Sequence, residues 1–372
     1  MAIRPGMKIN VSFFASRTIS WYMARLFVTR SAAVLAALTL VLMALDLLGE
    51  SGDILAQPGN GDAQLWYYVS LRVPQLISRF LPFSVLLGTL ITLATMNQNS
   101  EIISMKAAGI SAHQILAPLV VASLAISGLS FWFNDHVVAR STAVLTAWQN
   151  VEYGPIPANH GVMTNIWVRA GEDLIHADEV VERGGAVILQ GVSYYDRTGD
   201  RLIAIARATR GTYKNNAWVL ENVHRFDVAV GKTTDIPLVT IGQGVTPDRF
   251  TLANVDGDSM SFRGLAEAVS ALHAAGRPTA GLETVLWHKL SGPLSSVLMP
   301  LLAGVAGFGL ARSGVLFIRA VIGMALGFTY FVADNFALAM GNIGAYPPLL
   351  AAWAPFLLFL LIGEAVLIRT EE

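Results

Sequence analysis

Six apolar runs constrain this chain more than any other feature: Ser31–Leu48, Phe83–Met96, Ile115–Phe133, Leu294–Leu310, Val315–Met340 and Leu349–Ile368. A helix needs about 20 residues to cross a bilayer, and most of the runs approach that length. The second is short, but "VPQLISRFLPF" extends it back to Val73, directly after Arg72. The pattern predicts six transmembrane helices. The first run begins far from Met1, after Arg17, Arg25 and Arg30, which does not fit a cleaved signal peptide. Only 14% of the 372 residues are charged, against about 25% in a soluble domain. A net charge of −1 lacks the basic face of a nucleic-acid binder. With no cysteine, disulfide frameworks and thiolate metal sites are excluded.

Six crossings put both termini on one side. That side collects Arg4, Lys8, Arg17, Arg25 and Arg30, then Lys106, then Arg312 and Arg319, then Arg369. The first opposite loop, Gly49–Leu71, has no Lys or Arg but carries Glu50, Asp53 and Asp62. The positive-inside rule then predicts cytoplasmic termini. The segment between the third and fourth runs is expected outside; long loops translocate regardless of their charges.

Three parts follow: a membrane half over 1–133, an exported domain over 134–287, and a second membrane half over 288–372. The exported part reads as strands and turns. "RLIAIARATRGTY" alternates over part of its length and "AVILQGVSYYD" is rich in β-formers. "DRTGDR" and "KNNA" are turn signals between such runs. Short strands so spaced predict an antiparallel sandwich or roll. Over about 260–275, Phe262, Leu265, Val269 and Leu272 form one helical stripe. Gly276 and Pro278 end it, and this helix is expected to lead the chain back to the membrane. The two halves show no obvious sequence repeat.

Sequence motifs for catalysis are absent. "VGKTT" at 230–234 resembles the end of a phosphate-binding loop, but Phe226 stands where that loop needs glycine, and Asp235 and Pro237 interrupt any helix start. "AGFGLARSG" fails the dinucleotide fingerprint and lies in an apolar run. There is no HExxH. His160, His176, His224 and His273 of the exported part have no motif context and read as surface or packing residues. ATP-driven work would come from another subunit.

Charges beside the apolar runs are expensive in lipid and carry more information. Arg72 and Arg79 share a face of the second helix, Arg140 follows the third by two turns, and His288 and Lys289 open the fourth. Asp46 and Asp334 sit toward the exported ends of helices one and five. One reading is snorkelling with Asp–Arg pairing; the other is a cluster of cations for an anionic lipid headgroup. Gly323 and Gly327 make a GxxxG in the fifth helix, suited to close helix packing within the chain or against a partner.

The stretch "SEIISMKAAG", 100–109, breaks two apolar runs. Ser100 or Asn99 has the chemistry of an N-cap, Glu101 lies in the first turn, Lys106 near the last, and Gly109 fits the terminating position. A cytoplasmic helix of about two turns is expected. A plain reversal needs fewer residues, so the segment reads as a docking element for a cytoplasmic partner.

"SEIISMKAAGISAHQI" resembles the coupling-helix segment of the lipopolysaccharide-export permeases, the LptF/LptG family. "LPFSVLLGTLITLATMNQNSE" is similar to that family's second helix, "WHKLSGPLSS" to the start of its fourth and "VIGMALGFTYFVADNF" to its fifth. "ALDLLGESG" and the coupling segment favour the LptG type over the LptF type. The resemblance implies a polytopic helical membrane protein with an inserted periplasmic β-jellyroll-like domain. It would be a permease subunit in the bacterial inner membrane that extracts lipopolysaccharide and passes it through its β domain toward the outer membrane.

Implied partners are an LptF-type permease, a dimeric cytoplasmic LptB-type ABC ATPase, a single-span LptC-type protein and an LptA-type periplasmic bridge. No cofactor is implied in this chain; ATP and magnesium would sit on the ATPase. Ser100, Glu101, Met105, Lys106 and Gly109 match the coupling segment, with Glu101 docking in the ATPase groove. Arg140 matches an arginine facing the lipid's phosphates. A lysine that relatives can carry in helix one is replaced by Met43, so Arg72 or Arg79, with His288 and Lys289, is expected to supply headgroup charge. Two further readings remain: a secondary transporter, which would place its charges near the bilayer midplane, and a membrane scaffold or sensor with an external ligand-binding domain.

Overall fold

A computed structural model of the chain describes residues 16–155, 162–183, 186–198, 201–251, 256–274, 277–307 and 315–369. Arg4, Lys8, His160, Gly276 and Arg312, used in the sequence reading, lie outside them.

Long helices form where the apolar runs are. α1 (Arg17–Ala56) starts from Ser16, whose side chain accepts the Ile19 N–H, and α2 (Asp62–Gln98) antiparallels it. α3 (Glu101–Ala107) is a short helix between α2 and α4 (Ala112–Phe133). A π turn, Asn134–Val138, then joins α4 to α5 (Ala139–Asn150), so that 112–150 is one long rod. The later helices are α7 (Phe262–Ala274), α8 (Ala280–Gly307), α9 (Val315–Asn342) and α10 (Pro348–Arg369); a four-residue turn, α6 (Asp248–Thr251), precedes them. Val85, Leu86, Leu93, Ile115, Leu119, Leu298 and Leu302 are fully or nearly fully buried in the shared core of the bundle.

Five helical stretches are long and apolar enough to cross a membrane: 17–56, 62–98, 112–150, 321–342 and 348–368. The sequence led us to expect six. α8, the helix of the fourth run, does not qualify among the described residues. Its first part carries Glu283, His288 and Lys289, and its apolar second half runs into residues beyond those described.

Between α5 and α7 lie six strands: β1 (Val162–Ala170), β2 (Asp173–Arg183), β3 (Ala186–Thr198), β4 (Arg201–Lys214), β5 (Ala217–Asp227) and β6 (Lys232–Ile241). They form one antiparallel sheet in sequence order, each strand paired with its chain neighbours. The antiparallel pairing expected of a sandwich or roll is present; among the described residues the strands make one meander, with no second sheet. Period-2 alternation explains its burial, since Ala204, Ala206 and Ala208 face the core while Arg207 faces out. Trp218, Leu189, Ile175 and Leu220 are buried on that same inner face.

The chain divides into two compact units. The sheet unit spans Ala147–Asp256, narrower than the 134–287 segment marked from sequence, and α7 belongs with the helices.

Candidate functional site

Two features of the helical unit concern function: a tier of charges near the end where the rod 112–150 leaves the bundle, and the short helix α3 at the opposite end.

The charged tier can be built from helix contacts. A Cβ placed on Gly327 of α9 would lie 2.2 Å from Leu86 Cδ2 of α2, so the two helices touch there. Seven residues on from that contact, about 10 Å at 1.5 Å per residue, come Arg79 on α2 and Asp334 on α9. Asp334 is 9% exposed and meets His288 of α8, with Nε2 to Oδ2 at 3.3 Å. Ser78, beside Arg79, donates to Asn134 of the π turn. This brings the π turn to the same depth, and Arg140 follows six residues later.

The structure separates the arginines that the sequence grouped. Arg72 is held by Asp46 of α1 through Nε–Oδ2 at 3.0 Å and Nη2–Oδ1 at 2.9 Å, and its Nη1 donates to Gln75 Oε1 at 2.8 Å. The Tyr68 hydroxyl donates to the same carboxylate at 2.6 Å. Planar forks of this kind bind carboxylate and phosphate alike; here the chain's own carboxylate occupies the fork. His288 is likewise paired, with Asp334. Arg79 and Arg140 are exposed and have no hydrogen-bond or ion-pair partner among the described residues. Lys289 has an interaction of its own. Pairing therefore accounts for Arg72 and His288, and leaves Arg79 and Arg140 without an internal counter-charge among the described residues.

The π turn gave no sequence signal. It inserts one extra residue into the helical ladder, and its Asp135 accepts the Phe262 N–H at the start of α7, at 2.5 Å. Phe131 packs edge-on to Phe262, with ring centroids 6.2 Å apart. Gly323 and Gly327 are both buried, and the Leu86 contact makes Gly327 a packing position within the chain.

At the other end, α3 is seven residues long, two turns as expected. Its stop is a Schellman arrangement: Gly109 takes φ 82, its N–H donates to Lys106 O at 3.0 Å, and the Ile110 N–H donates to Met105 O at 3.1 Å. Its start corrects the sequence reading. Ser100 occupies the cap position but takes φ 58, a left-handed conformation, and its side chain makes no cap bond. Glu101 is half-buried, with long hydrogen bonds from Tyr22 Oη (3.4 Å) and Asn99 Nδ2 (3.3 Å) to its Oε1. Ile102 and Met105 are buried in the helical core. Met105 thus anchors the helix, while Ile103, Ser104 and Lys106 face outward.

No three His, Cys, Asp or Glu side chains gather as a metal site among the described residues.

The lipopolysaccharide export system permease LptF/LptG family matches residues 21–369, nearly the whole chain. The chain belongs to that family. Among relatives, it is 25% identical over 309 residues to the lipopolysaccharide export system permease protein LptG of Escherichia coli K12, covering 81% of this chain and 84% of that protein. It is 26% identical over 331 residues to LptG of Haemophilus influenzae, covering 84% of this chain and 89% of that one. The match spans both helical halves and the sheet, so α3 and the charged tier lie within a family architecture that exports lipopolysaccharide.

Proposed function

We propose that this chain is the LptG-type membrane subunit of a lipopolysaccharide exporter, with Arg79 and Arg140 receiving the lipid's phosphates and α3 receiving the motor's stroke. As a member of the LptF/LptG family it is a transport permease, and ATP hydrolysis belongs to a separate LptB-type subunit. The observation that carries the reading is the family match across residues 21–369.

The protein sits in the inner membrane with six spans, α8 supplying the fourth, cytoplasmic termini, and a periplasmic sheet of the jellyroll type. An amphiphile with several acyl chains and phosphates suits an apolar cavity rimmed by exposed arginines. An LptF-type subunit completes that cavity, an LptC-type protein and an LptA-type bridge accept the lipid, and ATP and magnesium bind on the ATPase alone. Supporting the docking role of α3 are its tight anchorage through Ile102 and Met105 and its outward Ile103 and Lys106. A push on so short and firmly held a helix passes into α2 and α4.

Affinity purification of the full chain from its native membrane tests this. Recovery of a second permease and an ABC ATPase is expected. A chain that purifies alone and drives solute uptake with a proton or sodium gradient would replace the proposal with a secondary transporter.

A further inference from the structure

The inner face of the sheet is closed by a strap. Beyond β6 the chain passes two left-handed glycines, Gly242 (φ 58) and Gly244 (φ 77), and then crosses the apolar face to end in α6. Several contacts hold it, beginning with the Gly244 N–H, which donates to the Asn216 carbonyl at 3.1 Å. The Trp218 indole N–H donates to the Val245 carbonyl at 2.8 Å. Phe250 stands edge-on to that indole, with centroids 4.9 Å apart. Arg249 Nη1 reaches the Arg169 carbonyl of β1 at 3.4 Å. β1 and β6 are the two edges of the meander, so the strap runs from one open edge to the other.

What it covers is wholly apolar. Ile166, Val168, Ile175, Leu189, Val192 and Leu220 lie with Ala177, Ala206 and Ala208 in one buried cluster. Val245 and Phe250 of the strap are 2% and 0% exposed, so the strap and not a second sheet keeps water from this face. Its fastening combines hydrogen bonds to Asn216, Trp218 and Arg169 with the burial of Val245 and Phe250. Its stem glycines, Gly242 and Gly244, have no Cβ to resist a change of backbone angle.

We infer that residues 242–251 are a lid over an acyl-chain site, and that Phe250 leaves Trp218 when lipid enters the sheet. This rests on the reading that the β domain takes lipid from the membrane part. The apolar face is then filled either by Val245 and Phe250 or by the chains that displace them, and water is excluded in both states.

The absence of cysteine makes a clean test possible in the whole exporter, in vesicles containing lipopolysaccharide. Arg169→Cys and Arg249→Cys, both exposed positions, are bridged with a short bis-maleimide. A photo-reactive residue at Ile236, which packs against the inner cluster, reports lipid entry. Bridging is expected to cut ATP-dependent labelling about tenfold or more, with ATPase activity kept, while the same pair capped by a mono-maleimide labels normally. Undiminished labelling after bridging overturns the lid. An unbridged protein that never labels at Ile236, yet still exports lipid, overturns the route through the sheet and the lid with it. Phe250→Ala gives an independent check. A lid residue raises labelling in the absence of ATP; a residue that only packs the sheet lowers its melting temperature and leaves resting labelling flat, which would also overturn the lid.

Discussion

Asp46 and Arg72 clasp each other across the first two helices, with two hydrogen bonds of 2.9 and 3.0 Å between guanidinium and carboxylate. The pair joins α1, which packs against little besides α2 and α4, to the bundle. Arg72→Ala would leave the half-buried Asp46 carboxylate with the Tyr68 hydroxyl as its remaining donor among the described residues. Their side chains keep 30% and 22% exposure, so the cost is expected at about 1–3 kcal/mol, below that of a fully buried pair. Thermal unfolding in detergent measures it, and the exchange Asp46→Arg with Arg72→Asp should recover part of the loss.

Arg79 and Arg140 predict the opposite pattern. Neither has a partner to lose among the described residues, so Arg79→Ala and Arg140→Ala should leave the melting temperature unchanged. Each should weaken lipopolysaccharide binding about tenfold, the value of one charge-assisted hydrogen bond. Binding measured on the purified exporter separates the two classes of arginine; equal losses for Arg72→Ala and Arg79→Ala at equal stability would remove the distinction.

Glu101→Ala should cost the fold little, because its two hydrogen bonds are 3.3 and 3.4 Å long. A stability change of about 0.3–1 kcal/mol is expected from its place in the first turn of α3. Stimulation of the ATPase by lipid should nonetheless be lost. A variant that couples normally would reduce Glu101 to a local helix residue.

Tyr194 sets an alkaline limit for the sheet. Burial, and then its hydrogen bond to Asp173 at 2.6 Å, push the phenol above its usual value of 10.0. The neutral form is favoured in the folded state, so this stability is complete below about pH 10 and is lost as pH rises beyond it. Tyr194→Phe should flatten that loss and cost about 1 kcal/mol near neutral pH. Loss of the sheet followed by circular dichroism from about pH 8 to about pH 11 reads both effects.

Much of the architecture was legible because it depends on local pattern. The apolar runs gave the long helices, Gly109 gave the end of α3, and alternation in "RLIAIARATRGTY" gave β4. What depended on distant partners was not legible. Arg72 and Asp46 are 26 residues apart, and nothing in either helix says which acid a given arginine will meet. Ser100 has cap chemistry, but the tight exit from α2 forces it left-handed, where its hydroxyl cannot reach the helix N–H groups. The π turn at 134–138 has no composition of its own; contacts with Ser78 and Phe262 reveal its role. The strand character of the exported part was readable, whereas closure of the sheet by a strap required Val245 and Phe250 to be seen against Trp218.

The most direct test of the central claim is ATP-driven release of lipopolysaccharide from vesicles containing this chain, its partner permease and the ATPase. The account predicts release to a periplasmic acceptor that needs ATP and stops with Arg79→Ala combined with Arg140→Ala, while the complex stays assembled. Release that continues unchanged in that double variant, or that proceeds without ATP, would contradict it.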